Sequence, residues 1–433
     1  MKLWLRGLVP VAVVALAASA CSSGGSSSNS TDLKGKTVSV IGTWGGDEQT
    51  AFLKMVAPWE QQTGAKVKYT GTRDISTVLT TGVASGVLPD LAGLPGPGQM
   101  AEYAATGQLQ PLDNVLDIST YQSDTAPALV NLGKTNGKVY GVFIKAAVKG
   151  LIWYNPKVHD YGTSAPKTWA DLMSQGKANQ GSAKSLWCLG VESGAASGWP
   201  GTDWIEELVL KQAGPEVYDK WVNHEVKFSD PQIKAAFDTY AKIALTNGNV
   251  LGGPKSIVST AFSTAANPMF KTPPGCYLHK QGNFISQKGF FPEDVRSAID
   301  SKVGVAPFPR GTSDTVEGGG DMAALFTKGD SNVTKVLKYI TEDPTFGAAW
   351  AGPLDRGFLS PHKDFDVSKY GNETARTIAK IAYTASGIRF DGSDSMPGKV
   401  GAGSFWKGMV AFTSGQQDEA TTLKQIDDSW PTK

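Results

Sequence analysis

The sequence predicts an α/β protein divided into two lobes around a largely parallel sheet. Short apolar runs alternate with helical apolar stripes from Val38 onward, at the spacing of parallel strands joined by crossover helices. A chain of 433 residues also exceeds what one ordinary hydrophobic core accommodates, so it divides. With 40% hydrophobic and 19% charged residues it is globular rather than disordered, and 50 Gly imply many tight turns.

The N-terminus reads as an export signal. Lys2 and Arg6 form a basic start, and Leu8 to Ala18 is an apolar run too short to span a bilayer. Ala18-Ser19-Ala20-Cys21 resembles a bacterial lipobox, so residues 1–20 are expected to be removed and Cys21 lipidated; plain cleavage after Ala20 is the alternative. Residues 21–34, rich in Ser and Gly, then form a flexible tether to the outer face of the membrane. Net charge is +1, and losing Lys2 and Arg6 leaves −1, so nothing attracts nucleic acid or an anionic lipid surface. The lipid anchor is the one expected membrane contact. The four His are scattered without ligand spacing, so neither a metal nor a cofactor is expected.

Each element follows from local pattern. Val38 to Ile41 reads as a strand, and the next helix carries Phe52, Met55, Val56 and Trp59 on one face until Gly64 ends it. Val67 to Thr70 is a second strand, then Ile75, Val78, Leu79 and Val83 stripe a helix. Leu91 to Leu94 is a third, and Pro95-Gly96-Pro97-Gly98 leads into a short helix. Ligands of such sheets bind beyond the carboxyl ends of the strands, here at Thr43-Trp44-Gly45, Thr72-Arg73-Asp74 and Leu94-Pro95. Val139 to Phe143 and Val148 to Tyr154 are strand-like, with Ile144 to Ala147 expected to cross between lobes. Thr168 to Asp171 is a capping box, and Asp230-Pro231 opens a helix striped by Ile233, Phe237, Tyr240 and Ala244. Val303 to Phe308 is a strand; Arg310 to Asp321 is Gly-rich, and Met322 to Thr327 is another strand. Val333, Val336, Leu337 and Ile340 stripe a helix. From Pro344 onward short helices alternate with loops, one of which, Ile388 to Gly403, carries Arg389, Asp391 and Asp394.

Ser185 to Leu210 is the stretch richest in possible function. A strand around Leu186 to Gly190 and a helix from Pro200 flank a Gly/Ala/Ser loop ending in Trp199, with Asp203 and Trp204 just inside the helix. Indole faces pack on the C–H face of a pyranose and a carboxylate accepts from hydroxyls, so these three suit a sugar site. Equally, both Trp pack in a core and Asp203 caps the helix. Cys188 and Cys276 are an even pair in an exported chain, most simply a disulfide; two buried thiols are the alternative.

Longer stretches resemble a known family. TVSVIGTWGGDEQTAF, GVASGVLPDLAGLPGPG, NGKVYGVFIKAAVKGLIWYNPK followed by TWADL, GGDMAALF, EDPTFGAAWAG and FDGSDSMPGKVGAGSFWKGMV are similar to the extracellular solute-binding proteins of sugar ABC importers. WCLGVESGAASGWPGTDW and RFDGSD look most like the branch that binds α-glucosides such as trehalose or maltose. The resemblance implies a two-lobe type II periplasmic-binding-protein fold that closes on a sugar and delivers it, as a monomer without enzymatic activity, to ABC importer permease subunits. It also implies that residues 35–145 and 305–335 form lobe one, and 146–304 with 336–433 lobe two.

Carried onto this chain, the family's lobe-one contacts would be Trp44, Gly45, Glu48, Arg73, Asp74 and Gln99. Lobe two would add Trp199, Asp203, Trp204, Arg389, Asp391 and Asp394. Asp321 follows three glycines that admit close approach of a ligand. Trp350, Gly352, Gly357 and Phe358 sit where the family places part of its stacking platform. Structural roles compete at several of these: Arg73 and Asp74 also suit an ion pair or cap, and an acid such as Glu48 is ordinary in a first helical turn. Lys149, an ammonium between two apolar strand ends, needs a partner, whether ligand or acid. Two other classes stay open. Asp203, Glu206 and Glu207 beside Trp would suit an exported glycoside hydrolase, which needs two carboxylates across one bond; a binder of another solute, such as a polyamine, would want acids and few bases.

Overall fold

The structure, a computed structural model, describes residues 33–162, 164–326, 331–342, 347–352 and 357–431. Cys21, the signal segment and most of the tether lie outside them, as do Thr327 and Pro344. Among the described residues no helix is long and apolar enough to cross a membrane.

Two sheets organise the chain. Strands β1 (Thr37–Gly42), β2 (Lys66–Gly71) and β3 (Leu91–Leu94) are parallel neighbours with β1 in the middle, as the alternating pattern requires. A small hairpin of β4 (Lys134–Thr135) and β5 (Lys138–Val139) precedes β6 (Gly141–Val148) and β7 (Leu151–Tyr154). After them come β8 (Ser185–Cys188), β9 (Cys276–Lys280), β10 (Gly304–Pro307), β11 (Val316–Leu325) and β12 (Ile388–Phe390). The first sheet runs β12-β11-β3-β1-β2, with β6 also pairing antiparallel to β11. The second runs β10-β7-β9-β8.

The helices form where capping and periodicity agree. Helix α1 (Gly46–Thr63) buries Phe52, Met55, Val56 and Trp59 and ends at Gly64, whose φ of 74° is the left-handed cap that lets its N–H reach Glu60 O. Helix α2 (Ile75–Ser85) buries Ile75 and Leu79, and α3 (Pro97–Ala105) begins with Pro where no N–H is needed. Thr168 Oγ1 accepts from Asp171 N–H at 3.1 Å, and Asp230 caps Gln232 N–H at 2.9 Å. A disulfide joins Cys188 on β8 to Cys276 on β9.

Three local expectations shift. The segment 144–147 lies inside β6, so the chain leaves the first sheet only at 149–150, and Lys149 stands at that crossing. The strand expected from Met322 begins already at Val316, so the glycines 318–320 lie within β11: a Cβ on Gly320 would come 2.4 Å from Lys145 O, so glycine is what permits the strands to pair this closely. Ile388–Phe390, expected as loop, pairs parallel to β11.

The chain also divides differently from the expected lobe limits. Strand β10 pairs with β7 in the second sheet, so residues 304–307 stay there, and the return crossing spans 308–315. Val336 and Leu337 sit on a helix packed against β1 and β6 of the first sheet, the helix carrying Ile378 meets β10 at the edge of the second, and Met396 to Ile426 belong to the second sheet's core. A third crossing falls at 390–391. Tertiary packing of these late helices, rather than chain order, assigns them.

Candidate functional site

A cavity of about 240 Å³ opens between the two sheets. Its first-sheet side is built from strand ends: Trp44 after β1, Arg73 and Asp74 after β2, Pro95 after β3, with Lys145 from β6 and Asp321 from β11. The other side presents Ser193, Trp199, Phe262, Asn283, Phe284 and Phe290, and the segment from Asp391 to Trp406. Trp199 meets Phe262 edge-on at 4.8 Å and Phe284 at 5.8 Å, forming one aromatic wall.

The charged groups are paired with one another. Glu48, in the first turn of α1, accepts from Lys145 and from Gln287 Nε2 at 3.0 Å. Trp44 is 1% exposed, held between Tyr69 (stacked, 5.7 Å) and the edge of Trp350 (5.1 Å). Its indole N–H donates to Asp321 Oδ2 at 3.0 Å, so Trp44 orients a carboxylate as much as it offers a face. Burial pushes the Asp321 carboxyl up to about 6, against the opposing pull of Lys145 and the Trp44 hydrogen bond. Arg73 lies 6.0 Å from the Phe262 ring centre, across the cavity mouth.

Lys149 has found its partners. Its ammonium pairs with Asp391, lies 3.3 Å from Asp203 Oδ1 and 3.9 Å from Asp394 Oδ2, and stands 5.3 Å from the Trp199 ring centre. Burial opposes its charge, but Asp203, Asp391 and Asp394 outweigh that and raise its pKa well above the usual value. Burial also acts to raise Asp391, yet Lys149 and hydrogen bonds from Asp394 N–H and Ser393 Oγ hold it low. One ammonium cannot satisfy every neighbour, and burial pushes Asp203 up to about 7.

Of the residues expected at a site, Trp44, Glu48, Arg73, Asp74, Trp199, Asp321, Asp391 and Asp394 line this cavity. Gln99 lines an adjoining groove and donates to Tyr103 Oη at 3.1 Å. Asp203 is 1% exposed and reaches the cavity only through Lys149. Trp204 belongs to the core: fully buried, it meets Trp187 edge-on at 5.1 Å and packs near Trp169 and Phe308. Arg389 points elsewhere, its Nε 2.6 Å from Asp219 Oδ1. Gly45 is the exposed N-cap of α1. Trp350 and Phe358 stack on each other at 5.3 Å behind Trp44, Gly352 ends the helix Ala348–Ala351, and Gly357 O accepts from Asn283 Nδ2. These four support the wall rather than line it.

Pattern reading missed Lys145, Phe262, Phe284, Phe290 and Trp406. Phe262 and Phe290 lie in turns before and after β9, and Phe284 in the short 3-10 helix Asn283–Ser286, all too short for periodicity to mark a face. Lys145 had a usable signal, a lone cation inside the apolar run VFIKAAV, which demands a buried acid.

A two-sheet body with an aromatic, charge-paired cavity between the sheets defines a solute-binding protein. Residues 45–345 match the bacterial extracellular solute-binding protein family, and the chain belongs to it, which places it outside the cytoplasm. It is 37% identical over 401 residues to the osmoprotective compounds-binding protein GgtB of Synechocystis sp., covering 92% of this chain and 93% of that one. It is 34% identical over 409 residues to the alpha-glucosides-binding periplasmic protein AglE of Rhizobium meliloti, covering 92% and 88%. A solved chitin oligosaccharide binding protein shares the fold at TM-score 0.75 and 20% identity, over 90% of this chain and 97% of that chain.

Proposed function

We propose that this protein captures a neutral sugar, an α-glucoside of two or more units, and delivers it to the permease of an ABC importer. The cavity wall carries the reading: aromatic rings stand beside hydrogen-bonding groups, several of them paired as ammonium and carboxylate. Five acids and three bases line it, and Lys145 and Lys149 are both engaged with carboxylates. Such pairs donate to and accept from hydroxyls, and burial, which holds Asp394 well above the usual carboxylate range, reduces the formal surplus of two acids. The similarity to the alpha-glucosides-binding protein AglE supports the same class.

The first sheet with its packed helices acts as one lobe and the second as the other, and closure across 149–150, 308–315 and 390–391 buries the ligand. Trp199, Glu48, Arg73, Asp74, Asp321, Asp391 and Asp394 are the residues we assign to ligand contact. The protein works as a monomer held by a lipid on Cys21, and it does no chemistry on the sugar. Glu206 and Glu207, the acids a hydrolase reading would use, are fully buried, and Glu206 accepts from Gly392 and Ser393 N–H at 2.8 and 3.1 Å.

Calorimetric titration of the purified mature protein with trehalose, maltose and putrescine tests this. Saturable binding of a sugar, recovered uncleaved by chromatography, is expected. Binding of putrescine alone, or cleavage of the sugar, would overturn the reading.

A further inference from the structure

The helix Trp199–Gln212 carries four buried charged side chains, Asp203, Glu206, Glu207 and Lys211, each no more than 6% exposed. Charged residues are rarely buried without partners, and buried ion sets seldom stabilise a fold more than apolar packing of the same shape does. Their place on this helix therefore calls for another role. The four follow i, i+3, i+4 and i+8, so they share one helical face. None of them lines the cavity.

That face meets the crossings between the sheets, all three of them. At the first, Asp203 Oδ1 lies 3.3 Å from Lys149 Nζ, and the Glu207 carboxylate presses on Gly150, where a Cβ would clash with Oε2. At the second, Lys211 Nζ donates to Thr315 O, and Lys211 O accepts from Thr312 N–H at 2.8 Å. At the third, Glu206 accepts from Gly392 and Ser393 N–H at 2.8 and 3.1 Å. Glu207 Oε1 faces Lys211 Nζ at 3.4 Å, which couples the first seat to the second.

Most of these contacts grip backbone rather than side chains. Each crossing also brings a glycine to the helix: Gly150 against Glu207, Gly392 on Glu206, and Gly311, where a Cβ would clash with Lys211 O. Charge-assisted bonds to glycine-bearing backbone fix where a segment sits and leave its dihedrals free to turn. Hinges are built from a few such positions, away from the ligand.

We propose that this face is the seat of the hinge: Glu206, Glu207 and Lys211 are positioning residues that hold the three crossings in the binding-competent arrangement, and so set the affinity for a ligand they never touch. This rests on the lobe closure read above and names the residues that govern it. When fewer molecules occupy the competent arrangement, the apparent dissociation constant rises in inverse proportion.

Two variants act on the seat from outside the cavity. Gly150→Ala sets a methyl group against Glu207, at a backbone conformation outside the left-handed region. Glu207→Gln with Lys211→Met releases the first and second crossings and leaves neither member of the pair charged alone. Nitroxide labels on Val87→Cys, beside the first sheet, and Gln232→Cys, on a helix of the second, both exposed, report the interlobe distance by pulsed electron paramagnetic resonance. Calorimetry on the full mature chain gives the maltose affinity. Both variants are expected to shift or broaden the distances of the ligand-free protein, to recover the wild-type distances at saturating maltose, and to weaken maltose at least about fivefold. Unchanged ligand-free distances in both variants would overturn the seat, whether or not affinity falls. If the wild type binds no sugar, the sugar reading falls, and the ligand-free distances still decide the seat.

Discussion

Lys149 Nζ lies 3.3 Å from Asp203 Oδ1 at the point where the chain first crosses between the sheets. The third crossing and the start of β11 meet it there. Lys149 N–H donates to Glu317 O at 2.9 Å, and Asp391 N–H donates to Gly318 O at 2.8 Å. Lys280 Nζ bridges Asp203 O at 2.6 Å and Glu317 Oε2 at 3.0 Å. One buried ion network therefore joins the first and third interlobe connections to the start of β11, and touches the cavity through Lys149, Asp391 and Asp394.

Removing that ammonium should be severe. Lys149→Met leaves Asp391 ionised and unpaired in the interior, which costs about 3–5 kcal/mol. Urea unfolding monitored by tryptophan fluorescence measures this; a loss below about 1 kcal/mol would mean that water or a proton compensates easily.

Two tryptophans five positions apart should separate stability from binding. Trp204→Ala empties a site walled by Trp187, Trp169 and Phe308 and should lower stability by about 3–5 kcal/mol. Trp199→Ala removes an aromatic cavity wall and should weaken sugar binding by about 1–3 kcal/mol. Unfolding and calorimetry on the same pair of variants read both, and a reversed assignment would move Trp204 to the ligand.

The Cys188–Cys276 bridge closes a loop of 88 positions. Cys188→Ser with Cys276→Ser should lower stability by about 2–4 kcal/mol, seen as an earlier urea midpoint. No change would show that the strands hold each other without it.

Asp321 should give stability a pH signature. Its carboxyl is pushed up from 3.8 to about 6, so between those values the native protein keeps a proton that the unfolded chain has lost. Stability from this group is full below the lower value and is lost as pH rises through the upper one, by up to about 1.4 kcal/mol per pH unit. Asp321→Asn still accepts from the Trp44 indole and should lack this slope. Unfolding midpoints of both proteins from pH 4 to 7 decide it, and parallel profiles would remove Asp321 as the source.

The sequence by itself determined every feature that depends on near neighbours. The Phe52-Met55-Val56-Trp59 stripe, the Thr168 and Asp230 caps and the Gly64 stop need only periodicity and a short-range hydrogen bond. Its longer motifs also carried the family, and the strand-end rule put Trp44, Arg73 and Asp74 at the cavity. Tertiary structure alone decided which faces are covered. Trp199 and Trp204 lie about 140° apart around one helix, so only one can face the cavity. The choice was made by Trp187 and Phe308 on one side and by Phe262 and Phe284 on the other, all distant in sequence from at least one of the pair. Arg389 and Asp391 are near neighbours, yet one pairs with Asp219 and the other with Lys149. Local pattern sets where a side chain points; the segments that arrive from elsewhere set what it meets.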